Sequence, residues 1–198
     1  MTAAAQIELR VVRGPDVGPW LDDLAALRIE VFRDWPYLYA GSVKYEREYL
    51  STYAASVRAF FVLALDAGKV VGASTAIPLS DEAESFQRAF RARDLPPERV
   101  FYFGESVLRR EYRGLGLGHA FFDAREAEAA RGGFSITAFC AVERAPDDPR
   151  RPADYRSNER FWLKRGYQKQ SDMYCEIDWP EEAGGPELSH RLNYWLKA

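Results

Sequence analysis

The sequence predicts an α/β protein with a mixed, mostly antiparallel central sheet, one parallel βαβ unit and flanking helices. Three stretches carry that expectation. Ala59–Leu65 and Val70–Ile77 are apolar runs separated by Asp66-Ala67-Gly68-Lys69, a hairpin pattern. Phe101–Leu108, a glycine-rich turn, an amphipathic segment and Ser135–Val142 follow in the order strand, helix, strand, which calls for parallel strands and a right-handed crossover. Tyr167–Trp179 and Ser189–Lys197 read as two closing antiparallel strands joined through Glu181–Pro186.

The other elements follow along the chain. Ile7–Val12 reads as a first strand, broken by Gly14-Pro15 and Gly18-Pro19. Trp20, Leu24, Leu27 and Val31 recur at helical spacing, with Asp22, Asp23, Arg28 and Glu30 placed between them as a polar face. Trp35-Pro36 ends that helix. After a loop at Tyr37–Gly41, Tyr45, Tyr49 and Tyr53 mark one face of a second helix and are expected in the core, with Lys44, Glu46, Arg47 and Glu48 off that face. Ser80–Arg93 reads as a short helix capped by Ser80-Asp81. From Gly116 to Arg131 the expected buried face is Leu117, Ala120, Phe121, Ala124 and Ala127, with Arg125 off it. Gly132-Gly133 stops that helix. Asp154–Arg165 reads as a last helix ending at Gly166.

Composition narrows the class. The chain has 198 residues, 47% hydrophobic and 29% charged, as expected of one soluble domain spanning 1–198. The formal net charge of −3 offers no broad basic surface for nucleic acid. The opening MTAAAQ has no charged and apolar leader pattern, and no apolar run reaches membrane-span length, so neither secretion nor membrane insertion is expected. Cys140 and Cys175 fall in expected strands, which favours reduced thiols in a cytoplasmic setting. His119 and His190 lie 71 positions apart, and no cluster has metal-ligand spacing, so no metal is expected.

The chemistry concentrates in Phe101–Gly118. Arg113-Gly114-Leu115-Gly116-Leu117-Gly118 places three glycines where a strand turns into a helix. Without side chains there, a ligand can approach the backbone. The first helical N–H groups lack intrahelical partners, and the helix dipole adds positive potential, which suits a phosphate or pyrophosphate. Arg113 adds a full charge. A dinucleotide fingerprint from Gly114 would need a glycine where His119 stands, and Gly118-His119-Ala120 is not the G-K-[ST] of a P-loop. Glu105 lies in the same strand among Phe101, Phe103, Ser106 and Val107. An acid in a central strand is costly unless it is paired, with Arg109 for example, or functional.

The pattern R-x-x-G-x-G from Arg113 through Gly116 to Gly118 resembles the acyl-CoA pyrophosphate loop of the GNAT superfamily of N-acetyltransferases. The element order is similar to the GNAT fold over nearly the whole chain, and Phe161–Tyr167 resembles the segment that ends the family's last helix. The resemblance implies acetyl transfer from acetyl-CoA to a primary amine by direct attack in a ternary complex. It implies that Val107, Leu108 and Arg109 lend backbone groups to the pantetheine arm. Arg113, Gly114, Leu115, Gly116, Leu117, Gly118 and His119 would hold the pyrophosphate, with Asn158 and Trp162 on the last helix completing the donor site. Glu105 matches a position where several members carry the general base. Trp162 stands where many members carry a Tyr that protonates the departing thiolate, which leaves Tyr155 or solvent for that task. Tyr37 and Tyr39, beside the first two helices, would line the acceptor site, where π faces attract an ammonium group. Arg144, Arg150 and Arg151 either meet the CoA 3′-phosphate or form a solvated loop. Trp179, Tyr194 and Trp195 are expected to pack the last strands or a homodimer contact. Two other readings stay open: an acyl-CoA-binding regulatory module without turnover, and nucleotide binding by the glycine loop.

Overall fold

The computed structural model describes residues 7–198; the expected absence of a leader concerns residues 1–6, outside the described residues. Among the described residues the strands are β1 (Glu8–Arg13), β2 (Phe60–Asp66), β3 (Lys69–Pro78), β4 (Val100–Tyr102), β5 (Ser106–Leu108), β6 (Ile136–Val142), β7 (Gln168–Pro180) and β8 (Glu187–Lys197). They form one sheet in the order β1-β2-β3-β4-β6-β8-β7, with β5 pairing on β3. The β4–β6 pair is parallel and the other pairs are antiparallel, so the mixed sheet with one βαβ unit is present.

Among the described residues five α-helices cover the two faces: α1 (Leu21–Phe32), α2 (Val43–Ala55), α3 (Glu84–Arg91), α4 (Leu117–Arg131) and α5 (Glu159–Lys164). Leu24, Leu27, Leu50, Tyr53 and Phe90 bring α1, α2 and α3 onto one face of the sheet. Leu117, Phe121, Phe122, Phe161 and Trp162 bring α4 and α5 onto the other. β2 and β3 are covered on both sides, which is why each is a nearly continuous buried run rather than an alternating one.

Several expectations are corrected. The strand expected from Phe101 to Leu108 is broken between Tyr102 and Ser106. Thr75 causes the break. Its carbonyl accepts from the Gly104 N–H at 3.1 Å, its hydroxyl accepts from the Glu105 N–H at 3.2 Å, and its own N–H donates to the Glu105 carbonyl at 3.1 Å. Only glycine fits at 104, because a Cβ there would lie 2.3 Å from the Tyr53 hydroxyl and 2.7 Å from Thr75 Oγ1. The last helix is Glu159–Lys164 rather than Asp154–Arg165, with the residues before it in turns. The Ser80 helix begins only at Glu84, after a tight turn at Leu79–Asp81.

Three charged residues expected on solvated faces are inside. Arg28, Glu46 and Arg125 are 8%, 0% and 1% exposed. Each replaces water by partners, as a buried charge must. On α4 the buried stripe is therefore Leu117, Phe121, Phe122, Arg125 and Ala129, rotated from the one expected, and Ala127 is exposed. Of the α2 tyrosines only Tyr53 is fully core; Tyr45 is 45% exposed. Trp179, Tyr194 and Trp195 are all buried, and their rings pack mainly on other elements: Trp179 on Tyr37, Tyr194 on Phe90 and Tyr102, and Trp195 on Phe139 and Trp162.

Candidate functional site

The parting of strands β5 and β6 organises the site. The Phe103 N–H donates to the Ala138 carbonyl at 2.7 Å, one step past the last β4–β6 pair, Tyr102 with Ala138. Beyond that point β5 pairs only with β3, while β6 continues on β8 through Val142. The sheet opens there into a cleft with backbone edges on both sides. On β5 the edge is specified by alternation. The Glu105 carbonyl and the Arg109 N–H are taken by β3, with the Arg109 N–H 3.0 Å from the Val71 carbonyl. Ser106 and Leu108 therefore turn their backbone groups towards the cleft, and of the expected trio Val107, Leu108 and Arg109 only Leu108 does so. The Arg109 side chain pairs on the surface with Glu30 at 3.1 Å, not with Glu105.

At the end of β5 the glycine loop enters α4. Gly114 and Gly116 have φ of 81° and 83°, left-handed values that a side chain disfavours. A Cβ at Gly114, Gly116 or Gly118 would meet nothing within 4 Å, so the loop surface is open. The first intrahelical bond runs from the Ala120 N–H to the Gly116 carbonyl. The N–H groups of Leu117, Gly118 and His119 thus point out of the helix end with no capping side chain. Leu115 is exposed at the tip. Arg113 is exposed, and its Nε donates to the Leu108 carbonyl at 3.2 Å, which ties the loop back to β5. The loop fits a pyrophosphate: open backbone, free donors and adjacent positive charge in one place. The His119 ring turns away from the loop, its Nδ1 3.2 Å from Arg165 Nη1 and its edge on Phe161.

On the opposite face of the sheet lies a partly enclosed cavity of about 100 Å³. Its walls include Tyr37, Tyr39, Tyr49, Tyr102, Glu105 and Cys140. Glu105 is thus shared: its backbone belongs to the strand break beside the cleft, and its side chain reaches the cavity. Its Oε2 lies 2.5 Å from Arg28 Nη1 and accepts from the Tyr49 hydroxyl at 3.4 Å. Oε1 accepts no hydrogen bond among the described residues. Arg28 also pairs with Glu46 and stacks over the Tyr49 ring, 4.3 Å from its centroid. The Tyr39 hydroxyl donates to Glu46 at 2.7 Å, so Tyr39 is fixed by the same network. Burial pushes the Tyr37, Tyr39 and Tyr49 hydroxyls well up, so these walls stay uncharged at neutral pH. Tyr37 is held by its carbonyl, which accepts from Arg144 at 2.7 Å and Trp179 Nε1 at 3.1 Å. Arg144 and Arg150 both pair with Glu181, Arg144 largely covered and Arg150 exposed, while Arg151 stays on the exposed loop surface beside the Tyr155 ring.

Beneath the strand break sits Arg125, which the sequence reading had placed in solvent. Its Nη1 donates to the Thr75 carbonyl at 3.2 Å and the Glu105 carbonyl at 3.1 Å, its Nη2 to Ser106 Oγ at 2.8 Å, and its Nε to the Phe121 carbonyl at 3.2 Å. The Phe103 and Phe122 rings cover it at 4.3 and 4.7 Å. Burial pulls its guanidinium down to about 9, so it is still charged at neutral pH. The signal in the sequence was its i+4 spacing from Phe121, on the buried stripe.

The remaining expected residues fall apart from the cavity. Trp162 packs against Phe139 and Trp195, with ring centroids 4.9 and 5.0 Å away. Asn158 is exposed at the start of α5, its side chain making no cap. Tyr155 lies in the preceding turn, edge-on to Trp35 at 6.2 Å, and burial raises its pKa. Cys140 contacts the Tyr102 hydroxyl at 3.0 Å and Cys175 Sγ at 3.8 Å. The Cys175 contact and burial hold the Cys140 thiol well above its usual pKa, the opposite of an activated nucleophile. Among the described residues no His, Cys, Asp and Glu group could hold a metal ion, and no helix is long and apolar enough to cross a membrane.

Comparison with known proteins bears on the family and the fold. The family model of the acetyltransferase (GNAT) family matches residues 24–170. The chain belongs to the GNAT acetyltransferase family. Among solved structures it is similar to a candidate acetyltransferase from Acinetobacter baylyi, with a TM-score of 0.63 at 13% identity over 99% of this chain and 94% of that one. It is similar to an N-acetyltransferase from Staphylococcus aureus, with a TM-score of 0.60 at 10% identity over 97% and 98% of the two chains. A ribosomal-protein-alanine N-acetyltransferase from Brucella melitensis gives 0.58 at 12% identity over 95% and 98%. At these identities the likeness is one of fold. No curated protein sequence matches the chain.

Proposed function

We propose that this protein transfers an acetyl group from acetyl-CoA to a primary amine by direct attack in a ternary complex. The observation that carries the reading is the position of Glu105, between a cleft that leads from an anion-binding loop and a cavity on the other face. Acetyl-CoA supplies an activated thioester; the chain's residues supply binding, orientation and proton transfer. The free N–H groups of Leu117, Gly118 and His119, with Arg113, bind the pyrophosphate. The cleft-facing backbone groups of Ser106 and Leu108 align the pantetheine arm, and their N–H groups are the available donors to charge developing on the acyl oxygen.

An amine in the cavity arrives as ammonium and must lose a proton before it attacks. Glu105 Oε1, unengaged by the protein, takes that proton, while Arg28 and Tyr49 fix Oε2 and with it the carboxylate plane. Trp162 has no acidic proton to give the departing thiolate. Tyr155, protonated at neutral pH, is the candidate acid, and solvent is the alternative, since a thiolate with a reference pKa of about 8.5 leaves well near neutrality. The test is release of free thiol when the protein is mixed with acetyl-CoA and amines. A CoA-dependent rise in melting temperature with no thiol release from any amine would replace this reading by a non-catalytic acyl-CoA-binding role.

A further inference from the structure

One wall of the cavity is held from outside it. Tyr37 lines the cavity, and its ring packs on Phe32 and Trp179 with centroids 4.6 and 6.0 Å away. It stands in the turns between α1 and α2, outside any helix or strand. A stretch of that kind keeps its place only where its backbone groups find partners. The next residue, Leu38, has φ of 53°, a left-handed conformation that a bulky side chain disfavours. Backbone so strained persists where the surroundings over-determine it.

Arg144 supplies that restraint. It lies two residues past the end of β6, and its side chain is 11% exposed. Its Nε donates to the Pro36 carbonyl at 2.7 Å and its Nη2 to the Tyr37 carbonyl at 2.7 Å, while Nη1 pairs with Glu181. Trp179, itself a cavity wall, donates from Nε1 to the same Tyr37 carbonyl at 3.1 Å. Three acceptors in three directions match the planar fork of a guanidinium, which a lysine ammonium cannot reproduce. Without that fork the Pro36 carbonyl has no protein donor among the described residues. The glycine loop is fastened separately, through Arg113 to the Leu108 carbonyl.

We propose that Arg144 is a positioning residue for the amine acceptor: it fixes Trp35–Tyr37 as a cavity wall, so the acceptor's affinity depends on it and that of acetyl-CoA does not. This rests on the reading of the protein as an amine acetyltransferase and adds a residue to it. The experiment compares the full chain with Arg144→Lys and with Glu181→Gln, which keeps the arginine but loosens its anchor. Solvent exchange of the Trp179 indole N–H reads the wall without activity. Thiol release from acetyl-CoA with n-propylamine and benzylamine reads the acceptor side. In Arg144→Lys the indole exchange should quicken, and the KM for amine should rise about tenfold, the scale set by one orphaned buried carbonyl. The KM for acetyl-CoA and the CoA-dependent thermal shift should stay unchanged. Glu181→Gln should move the exchange and the amine KM the same way by less, and it decides the matter if Arg144→Lys fails to fold. An unchanged amine KM in an active variant, or an equal rise in both KM values, would overturn the positioning role and leave acetyl transfer standing. Unchanged indole exchange would overturn the clamp. Thiol release with neither amine in the wild type would overturn the role toward an acceptor together with the reading it rests on.

Discussion

Arg28 Nη1 lies 2.5 Å from Glu105 Oε2, with the two side chains 9% and 6% exposed. A carboxylate held this way is aimed rather than free, and on the proposed reading its other oxygen takes the amine proton. Glu105→Gln is therefore expected to lower kcat by about 10²–10⁴, the range for losing a general base. CoA affinity should stay within a few-fold. Part of the rate should return at high pH, where free amine forms unaided. Wild-type turnover at neutral pH would remove Glu105 from the mechanism.

The same pair predicts an asymmetry in stability. Glu105→Gln leaves Arg28 its bond to Glu46. Arg28→Met leaves two buried carboxylates facing each other without a cation. Loss of one partner from a buried pair costs about 3–5 kcal/mol. Denaturant unfolding should place Arg28→Met well below Glu105→Gln in midpoint.

Gly116→Asp tests the donor loop. Its φ of 83° strains any side chain, but a Cβ there touches nothing, so the fold should survive. The added carboxylate would sit at the helix end that must receive a pyrophosphate. CoA raises the melting temperature of a protein it binds in the native state. That rise is expected with the wild type and absent in Gly116→Asp.

Tyr155→Phe and Arg125→Lys separate chemistry from support. If Tyr155 is the acid, its loss should lower kcat about tenfold or more; an unchanged rate assigns the proton to solvent. Lysine cannot reproduce the fork by which Arg125 holds two carbonyls and a hydroxyl. A strand break displaced by about 1 Å can cost about 10²-fold in rate. Arg125→Lys should lower kcat while keeping most of the CoA-dependent thermal shift.

Glu82 gives a pH signature. Burial pushes its carboxyl up, and its Oε2 has no hydrogen-bond partner among the described residues. The folded state then binds a proton more tightly than the unfolded one. Its stabilising contribution is complete below the unfolded pKa near 4.5 and is lost as pH rises through the higher folded value. Glu82→Gln should raise the melting temperature at neutral pH and flatten its fall as pH rises above about 4.5.

Much of the fold was legible because apolar runs and punctuation are local signals. β2, β3 and β6 announced themselves as continuous buried runs, and the glycine loop by its spacing. The strand break was not legible, because Gly104 is required by Tyr53 and Thr75, residues far away in sequence. Arg28, Glu46 and Arg125 were misplaced for a related reason. Periodicity sorts residues by polarity, and a charge that finds partners on a neighbouring element defeats the sorting. The burial of Glu105 was legible because an acid in an apolar strand is a local anomaly; that of its partner Arg28 was not, since nothing near it in sequence marks it as buried.

Glu105 is gripped from two sides. Arg125, rooted in α4 with the glycine loop, holds its backbone carbonyl, and Arg28, rooted in α1, holds its carboxylate. The halves that meet at this residue can therefore evolve separately. On the proposed reading, substitutions along residues 32–53 other than at Glu46 and Tyr49 would reshape what enters the cavity while α4 keeps the glycine loop in register. Grafting that segment between relatives should carry acceptor choice with it, as long as the arginine at 28 travels too.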